Sequence, residues 1–467
     1  MAKGQVLSLL LAQCALLASA APHSCPRRSA VPSLSPSATA TTPVVTPSTS
    51  ATPTIRANAA GPAEYTANPS IGGGGSDYVE SAHFRVHGAS TSTKANLTLQ
   101  HLEAAHSCFV ETLGWRTPGL SFNTGGVGNE VGPWYKLNVY SKQQADMPGA
   151  AGWQATDMQA GLAYLEVVDQ YLDVPDVMVH EYGHAMHLSE KNWINQGNTG
   201  AWWEPIANFI ADTYLSTPTC NAARAAHGLS GEAADSVIAL QKNIGDSYQV
   251  LVDGTPDSAN YYESWPFLAY ITNNPDNYPN MGNDTLLRMI REYKIDSNET
   301  PLHTLERLIG EGSSNVTIQR VVGRYWAHMA YVDIGHEKAH EAFIAQRRSL
   351  SYDNLDGANG EYTVKSARAP RYMGANIIPL TATGSAIDVT ITSEDTAYTA
   401  TLVVSNASGV TYTDVVSGQG SVQVADGDEV SLVIAKTPEL VMYDPFKISD
   451  ELNQGLQYSV KINGATA

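Results

Sequence analysis

The stretch His180-Glu181-Tyr182-Gly183-His184 combines two imidazoles and a carboxylate within five residues. On a helix, a spacing of four residues places His180 and His184 on one face, where both imidazoles can hold one zinc ion. Glu181 then lies beside that ion, where a carboxylate can accept a proton from water that attacks a carbonyl. The pattern also occurs by chance, and two helical histidines can be ordinary core residues. The apolar approach Val177-Met178-Val179 favours the metal interpretation, because a buried carboxylate is costly unless it is paired or coupled to a metal.

A zinc ion of this kind needs a third protein ligand and keeps a fourth position for water. Glu204 follows His184 by twenty residues, which is enough for a turn and a second helix to return to the metal. Glu190, six residues after His184, is the alternative. We expect Glu204 to be the third ligand. Pro205 follows it directly, and the residue before a proline avoids helical geometry, so we expect Glu204 at the start of its helix.

The arrangement of His180, Glu181, His184 and Glu204 resembles that of the gluzincin metallopeptidases, including the thermolysin-like type. The segments HEYGH, WWE and YYESWPF are similar to those of an uncharacterised secreted group known only as zinc peptidases. The likeness spans about residues 78–275 and is strongest between His180 and the end of the WWE helix.

The resemblance implies a role for each of these residues. The two histidines and Glu204 would bind Zn²⁺, and Glu181 would be the general base. Asn208 or Asp212, one or two turns after Glu204, would orient a ligand histidine through its other ring nitrogen.

Charge that develops on a carbonyl oxygen during hydrolysis needs a hydrogen-bond donor. Tyr261 and Tyr262 are the candidate catalytic residues for this role, although clustered aromatic side chains commonly serve packing. His328, His336 and His340 are rival donors, although histidines on amphipathic helices are usually surface or core residues.

Hydrophobic periodicity predicts the elements that position these residues. Alternating patterns predict strands over 82–88, 135–140 and 162–168. A helical recurrence covers 94–114. This order, followed by the metal helix, is what a zincin N-terminal subdomain shows. We expect the strand Leu162–Val168 to border the cleft, where an extended peptide can add to the sheet edge; the alternative is an interior strand. His83 and His87 are expected at the strand surface rather than as ligands.

The second half of the chain has two kinds of hydrophobic pattern, first helical and then alternating. Helical recurrences cover 221–250, 262–274, 283–294, 301–311, 315–330 and 335–349. Short alternating runs follow at 387–391, 401–404, 421–424, 430–434 and 458–462. Together with the resemblance, these patterns lead us to expect an α+β zincin-like metallohydrolase domain over 77–374, with a helical wall, followed by an antiparallel β-sandwich over 375–467. The sandwich binds glycan or protein, or caps the helical domain.

The N-terminal region has the pattern of a secretory signal over residues 1–20. Residues 21–76 are predicted to be a disordered linker or propeptide, rich in Ser, Thr and Pro, with Gly72 to Gly75 as a flexible joint before folding starts near Asp77. We found no membrane anchor. Secretion favours oxidation, so we expect Cys108 to pair with Cys220, while Cys25 remains in the linker; other pairings stay open.

The chain has 467 residues and a formal net charge of −19, which argues against nucleic acid or an anionic membrane as a partner. Glycosylation sequons at Asn96, Asn283, Asn298, Asn315 and Asn406 fit a secreted glycoprotein. We therefore expect a monomeric, secreted zinc metallopeptidase that hydrolyses amide bonds of extracellular proteins or glycoproteins. The alternative is a non-catalytic protein- or glycan-binding module on a zincin scaffold.

Overall fold

The computed structural model describes residues 61–68, 70–125, 130–193, 197–256, 258, 260–311 and 315–467. The expected signal segment, Cys25 and residues 21–60 of the expected linker lie outside this part of the chain. Within the described residues, none of the helices has both the length and the apolar composition that crossing a membrane requires.

A mixed sheet forms the first layer of the fold. Its strands are β1 (Tyr78–Glu80), β2 (Phe84–His87), β3 (Leu137–Lys142), β4 (Gly152–Asp157) and β5 (Leu162–Val168). They lie in the order β1-β2-β3-β5-β4, with β2, β3 and β5 parallel and the outer strands antiparallel. The predicted strands β2, β3 and β5 are confirmed. The expectation that Leu162–Val168 borders the cleft as a sheet edge is wrong, and the alternative of an interior strand holds, because β5 pairs on both sides and β4 is at the edge.

Helices cover one face of this sheet. They are α1 (Ser92–His106), α2 (Pro175–Glu190) and α3 (Trp203–Ser216). The alternating side chains Val139, Leu165 and Val167 point toward them and share one core with Met178 and Tyr182 of α2. The motif His180-Glu181-Tyr182-Gly183-His184 therefore lies on α2, which packs against the sheet.

A disulfide joins Cys108 and Cys220, so this predicted pairing is confirmed. Cys108 lies in the π-helical turn Ser107–Thr112, which continues α1, and Cys220 ends a short 3₁₀ turn after α3. α1 and α3 precede and follow α2 in the sequence. The bond therefore links the C-terminal ends of these two helices to each other.

The glycine-rich stretch before residue 77 is ordered, which corrects the prediction of a flexible joint. Ile71 is buried, and the Gly74 N–H donates a hydrogen bond to the Tyr140 hydroxyl (3.0 Å). Gly72 has φ of 78°, and a Cβ there would lie 2.4 Å from the Tyr140 ring. Glycine is needed here because the backbone approaches an aromatic side chain closely, and not because the segment bends freely.

His83, directly before β2, and His87, at the end of β2, are not surface residues, contrary to the prediction. His87 is buried and stacks on Tyr140, and the His83 Nδ1 atom lies 2.6 Å from a carboxylate oxygen of Glu103. All four residues of β2 are buried, so both of its faces are covered. The alternation of residue types in the sequence therefore did not mark an inner and an outer face.

A helical region follows α3. Its helices are α4 (Asn221–Ala226), α5 (Trp265–Asn273), α6 (Thr285–Arg291), α7 (Pro301–Gly310), α8 (Ile318–Met329) and α9 (Glu337–Gln346). The predicted helix over 221–250 is wrong beyond Ala226, apart from the π-helical turn Gln241–Gly245. Arg224 donates hydrogen bonds to the carbonyls of Tyr214, Ser230 and Glu232, which fold the chain back after one short helix.

The C-terminal region is built from antiparallel strands, as predicted. They are β6 (Leu355–Ala358), β7 (Glu361–Val364), β8 (Ala375–Ala382), β9 (Ala386–Thr392), β10 (Tyr398–Asn406), β11 (Gly409–Asp414), β12 (Gln419–Gln423), β13 (Glu429–Lys436), β14 (Ser459–Asn463) and β15 (Ala465–Thr466), with a short helix α10 (Asp450–Asn453). One sheet has the order β11-β10-β13-β8-β15 and the other β12-β9-β14-β7-β6. The sandwich-like arrangement therefore includes β6 and β7, which lie before the predicted boundary at residue 375.

The sheet that contains β10 and β13 is buried on both faces. Leu402 and Leu432 point into the core between the two sheets, whereas Val403 and Val433 belong to the core of the helical layer. α8 lies against this outer face, and a Cβ at its Gly323 would be 2.0 Å from Thr399 Oγ1. This double burial explains the continuous apolar runs in these strands.

Candidate metal centre

Three side chains converge between α2 and α3. The Nε2 atoms of His180 and His184 are 3.1 Å apart, and Glu204 Oε2 lies 3.2 Å from the first and 3.3 Å from the second. In the part of the chain that the structure describes, this is the group of His, Cys, Asp and Glu side chains compact enough to hold a metal ion.

The geometry of this triangle fits a small tetrahedral cation. Ligand atoms about 2.0–2.1 Å from a tetrahedral zinc ion lie roughly 3.3–3.4 Å from each other. The three observed separations, 3.1, 3.2 and 3.3 Å, are equal to this edge length or slightly shorter. Glu204 Oε2 is also buried without an aligned hydrogen bond, so its lone pairs point to the same place as those of the imidazoles.

The charges of the cluster also favour a cation. Burial lowers the pKa of His180, but the carboxylates of Glu204 and Glu181 outweigh burial and raise it to about 9. Burial raises the pKa of Glu204, but the nearby His184 and His180 outweigh it and lower that pKa. At neutral pH the three side chains therefore bind a proton. A bound metal ion would supply the same positive charge.

The close packing of α2 on α3 brings the ligands together. Gly183 lies between the two histidines, and a Cβ there would be 3.2 Å from Ala207 Cα and 3.3 Å from Ile210 Cβ. Glu204 is the second residue of α3, as Pro205 predicted. Its carboxylate reaches the face of α2 that carries His180 and His184.

Asn208 fixes the orientation of one ligand. The Asn208 Oδ1 atom is 2.8 Å from His180 Nδ1, and the Asn208 Nδ2 atom donates to the Tyr262 carbonyl (2.7 Å). Because the amide group donates to a carbonyl, its oxygen accepts from His180 Nδ1, which leaves Nε2 with a free lone pair. His184 Nδ1 is buried and has no protein hydrogen-bond partner among the described residues.

Glu181 lies beside the three ligands and against the edge strand. It is 6 % exposed, and burial raises the pKa of its carboxyl. The backbone of Gln154 lowers this pKa in small part, and a Cβ at Gly152 would be 3.0 Å from the Oε1 atom of Glu181. β4 therefore shapes the position of the Glu181 carboxylate beside the three-residue cluster.

A family model for DUF6055, described as a family of unknown function, matches residues 86–466. The chain belongs to this family. A comparison with curated proteins found no match. The matched range of the DUF6055 member includes both the metal cluster and the β-sandwich.

The alternative third ligand, Glu190, lies elsewhere. It is the last residue of α2, and its oxygens bind the Arg291 guanidinium (2.8 and 2.9 Å) and the Arg116 N–H (2.7 Å). A residue six positions after His184 on an unbroken helix faces away from it.

Asp212 likewise does not contact a ligand histidine. Its carboxylate lies 2.7 Å from His336 Nε2 and accepts hydrogen bonds from Ser216 and Ser236. Asn208 is one turn after Glu204 and shares its face of α3, whereas Asp212 has rotated away.

The two candidate tyrosines lie next to the cluster. The charge of Glu204 is the largest cause that raises the pKa of Tyr262, which indicates that the Tyr262 hydroxyl lies near the Glu204 carboxylate. The rings of Tyr261 and Tyr262 are 4.6 Å apart. Tyr262 is therefore positioned to donate into the site.

The rival histidines bond elsewhere. His328 contacts Asp276 (3.1 Å) and the Tyr412 hydroxyl (2.8 Å), and His340 Nδ1 lies 2.8 Å from the Tyr331 carbonyl oxygen. His336 Nδ1 caps the start of α9.

The prediction from sequence missed the edge strand that shapes the site. β4 has only a weak alternation, in which Trp153 and Ala155 point to one face and Gln154 and Thr156 to the other. Its residues are all half-buried, so neither a clear apolar face nor a buried run marks them.

Proposed function

We propose that the chain is a secreted zinc metallohydrolase, an endopeptidase or glycopeptidase that hydrolyses amide bonds of extracellular proteins. The observation that carries the proposal is the triangle of His180, His184 and Glu204 with Glu181 beside it. A purely structural site has no need of a fourth, buried carboxylate next to its ligands. A zincin-like fold of the first domain is part of the proposal and is supported by the mixed sheet beneath the metal helix.

The residues present fit a zinc ion, and His180, His184 and Glu204 would hold it. When bound, zinc polarises a carbonyl and makes a water molecule easier to deprotonate near neutral pH. Asn208 keeps the His180 lone pair directed at the site.

Glu181 acts as the general base and then as the acid. Its carboxylate accepts a proton from the attacking water and returns it to the leaving amine. Burial raises its pKa, which brings it nearer the pH at which both transfers are efficient. Tyr262 donates a hydrogen bond to the oxygen that gains charge, and Tyr261 supports Tyr262 through the contact between their rings.

The edge strand β4 provides a place for an extended substrate. The Gln154 N–H faces Glu181, and backbone groups of alternate residues face the same side of a strand. Gly152 and Thr156 therefore also direct their backbone groups outward from the sheet. A peptide that pairs with this edge would place its scissile bond beside Glu181.

Secretion is supported by two features of the described chain. Cys108 and Cys220 form a disulfide, which is typical of oxidising compartments. The sequon asparagines all lie at the surface, where glycosylation is possible: Asn96, Asn283, Asn298, Asn315 and Asn406.

Glu181→Gln is the direct test. The variant should keep about one zinc per chain, measured by elemental mass spectrometry, and lose at least about 10³-fold in hydrolysis of a proteome-derived peptide library. His184→Ala should lose both zinc and hydrolysis. Glu337→Gln, an exposed glutamate at the start of α9, is the matched control and should match wild type. Full activity of purified Glu181→Gln would refute the proposed base.

A further inference from the structure

The segment 437–449, between β13 and α10, returns from the sandwich to the metal layer. The Gly254 N–H donates to the Pro445 carbonyl (2.9 Å), and the Tyr443 hydroxyl donates to the Val252 carbonyl (3.2 Å). These bonds fasten the segment to the loop that precedes Tyr261.

Phe446 is a side chain of this segment that contacts residues next to the site. It packs into a cradle of glycines: a Cβ at Gly254 would be 2.7 Å from its ring, and a Cβ at Gly200 would be 2.9 Å from it. Gly200 belongs to the 3₁₀ helix Gly197–Trp202, which leads directly into α3. Any side chain at either glycine would displace the phenyl ring.

The same ring contacts the tyrosine pair. Phe446 and Tyr261 meet edge to face with centroids 6.1 Å apart, and the rings of Tyr261 and Tyr262 are tilted against each other with centroids 4.6 Å apart. Tyr262 then contacts the ligands along two routes. Its hydroxyl lies near Glu204, whose charge raises the pKa of Tyr262, and its carbonyl accepts from the Asn208 Nδ2 atom (2.7 Å), while Asn208 orients His180.

We propose that Phe446 is a positioning residue of the metal site, through which the C-terminal region holds Tyr261 and Tyr262 against the ligand shell. This inference rests on the proposed zinc function. Without the ring, the segment before α5 loses its support, so the Tyr262 hydroxyl and carbonyl both move relative to Glu204 and Asn208. The C-terminal region is then part of the functional site as well as a cap on the helices.

Zinc affinity tests the inference without any substrate. It is measured on the full chain by competition with a chromophoric chelator, for wild type, Phe446→Ala, Tyr262→Phe and the double variant. Changes to groups that orient metal ligands typically weaken affinity about 10–100-fold. We expect about tenfold weaker binding for each single variant and about 10–30-fold for the double variant, well short of the product, because both changes act through the same contact.

Controls separate positioning from general destabilisation. Met442→Ala, at an exposed residue of the same segment, should bind zinc as wild type does. Phe446→Leu keeps an apolar side chain in the glycine cradle and covers the case in which Phe446→Ala does not fold; it should still weaken zinc binding, because the contact with the Tyr261 ring is lost. Melting temperatures of the metal-free variants show whether each one is folded.

Each outcome has a separate meaning. Wild-type affinity in folded Phe446→Ala or Phe446→Leu overturns the inference and leaves the proposed function intact. Strictly multiplicative effects in the double variant overturn it as well, because Phe446 would then act independently of Tyr262. Failure of the wild-type chain to bind zinc overturns the proposed function, and this inference with it.

Discussion

The Glu181 carboxylate is confined by the absence of a side chain on the neighbouring strand. A Cβ at Gly152 would be 3.0 Å from both Cγ and Oε1 of Glu181, closer than most side chains tolerate. We predict that Gly152→Ala displaces the carboxylate and lowers kcat/KM about 10–100-fold, because small displacements of catalytic groups are costly. Zinc content should stay at the wild-type level.

Gly310→Ala is the matched control for this change. A Cβ at Gly310 meets no heavy atom within 4 Å in the described structure, so its activity should be unchanged. Equal activity of Gly152→Ala and wild type would show that Glu181 does not need its observed position.

His106 is a residue that makes the fold sensitive to acid. It is buried beside Tyr182, and burial lowers its pKa to about 3, against about 6.5 in the unfolded chain. Between these values the unfolded state binds one more proton, so the free energy of unfolding falls as pH decreases below 6.5. This group contributes a slope of about 1.4 kcal/mol per pH unit.

We predict that His106→Gln removes this slope between about pH 6 and 4, measured by urea unfolding at several pH values. The variant should be less stable than wild type at pH 7, because the packing against His83 is lost. An unchanged pH dependence would mean that other buried histidines account for the acid sensitivity.

Gly183 sets the distance between the two helices of the metal site. Its Cβ would contact Ala207 and Ile210 at 3.2–3.3 Å, so an alanine must push α2 and α3 apart by a few tenths of an ångström. We predict about tenfold weaker zinc binding in Gly183→Ala, because Glu204 moves with α3.

The thermal stability of the same variant should change little. Alanine is preferred over glycine in a helix by about 1 kcal/mol, which offsets part of the packing strain. Gly282→Ala, where a Cβ would contact nothing within 4 Å in the described structure, is the control. Zinc affinity equal to wild type would show that the helix pair adapts without moving Glu204.

Elements with a local signal were predicted well from the sequence. The spacing of His180 and His184 depends only on the helix period, and Pro205 restricts its own neighbour. Asn208 and Asp212 were both candidates to orient a ligand histidine. Which of them does so depends on the face of α3 that is turned toward the candidate metal centre, and the sequence does not show this.

Features that depend on distant parts of the chain were not predictable. The order of strands in the sheet is set by pairing between segments far apart, so the sequence did not show that β4, and not β5, forms the edge. The local sequence around Gly72 predicts a flexible segment. The Tyr140 ring that requires a glycine there is remote in sequence, so the local pattern does not show it. Phe446 shows the same limit, since its partners Gly200 and Gly254 lie far upstream.

At the scale of the whole molecule, the disulfide closes a very long segment. Cys108 and Cys220 are separated by 112 positions, and the enclosed chain carries α2 with the metal motif. Cross-linking a loop of this length restricts the unfolded chain and typically stabilises a domain by about 3–5 kcal/mol. We predict that Cys108→Ser with Cys220→Ser lowers the free energy of unfolding by about this amount, measured by denaturant titration.

Reduced wild-type protein is the control and should resemble the double variant. A decrease below about 1 kcal/mol in both would show that the unfolded chain is already compact without the bond.

The central part of the sheet formed by β8, β10 and β13 is covered on both faces. Its residues belong alternately to the core of the helical layer and to the core of the sandwich. Separation of the two regions would expose apolar surface on both sides of the boundary, so neither is expected to melt alone. Calorimetry should give a single heat-absorption peak whose van't Hoff enthalpy equals the calorimetric one. Limited proteolysis should accordingly degrade the chain without releasing either half as a long-lived fragment.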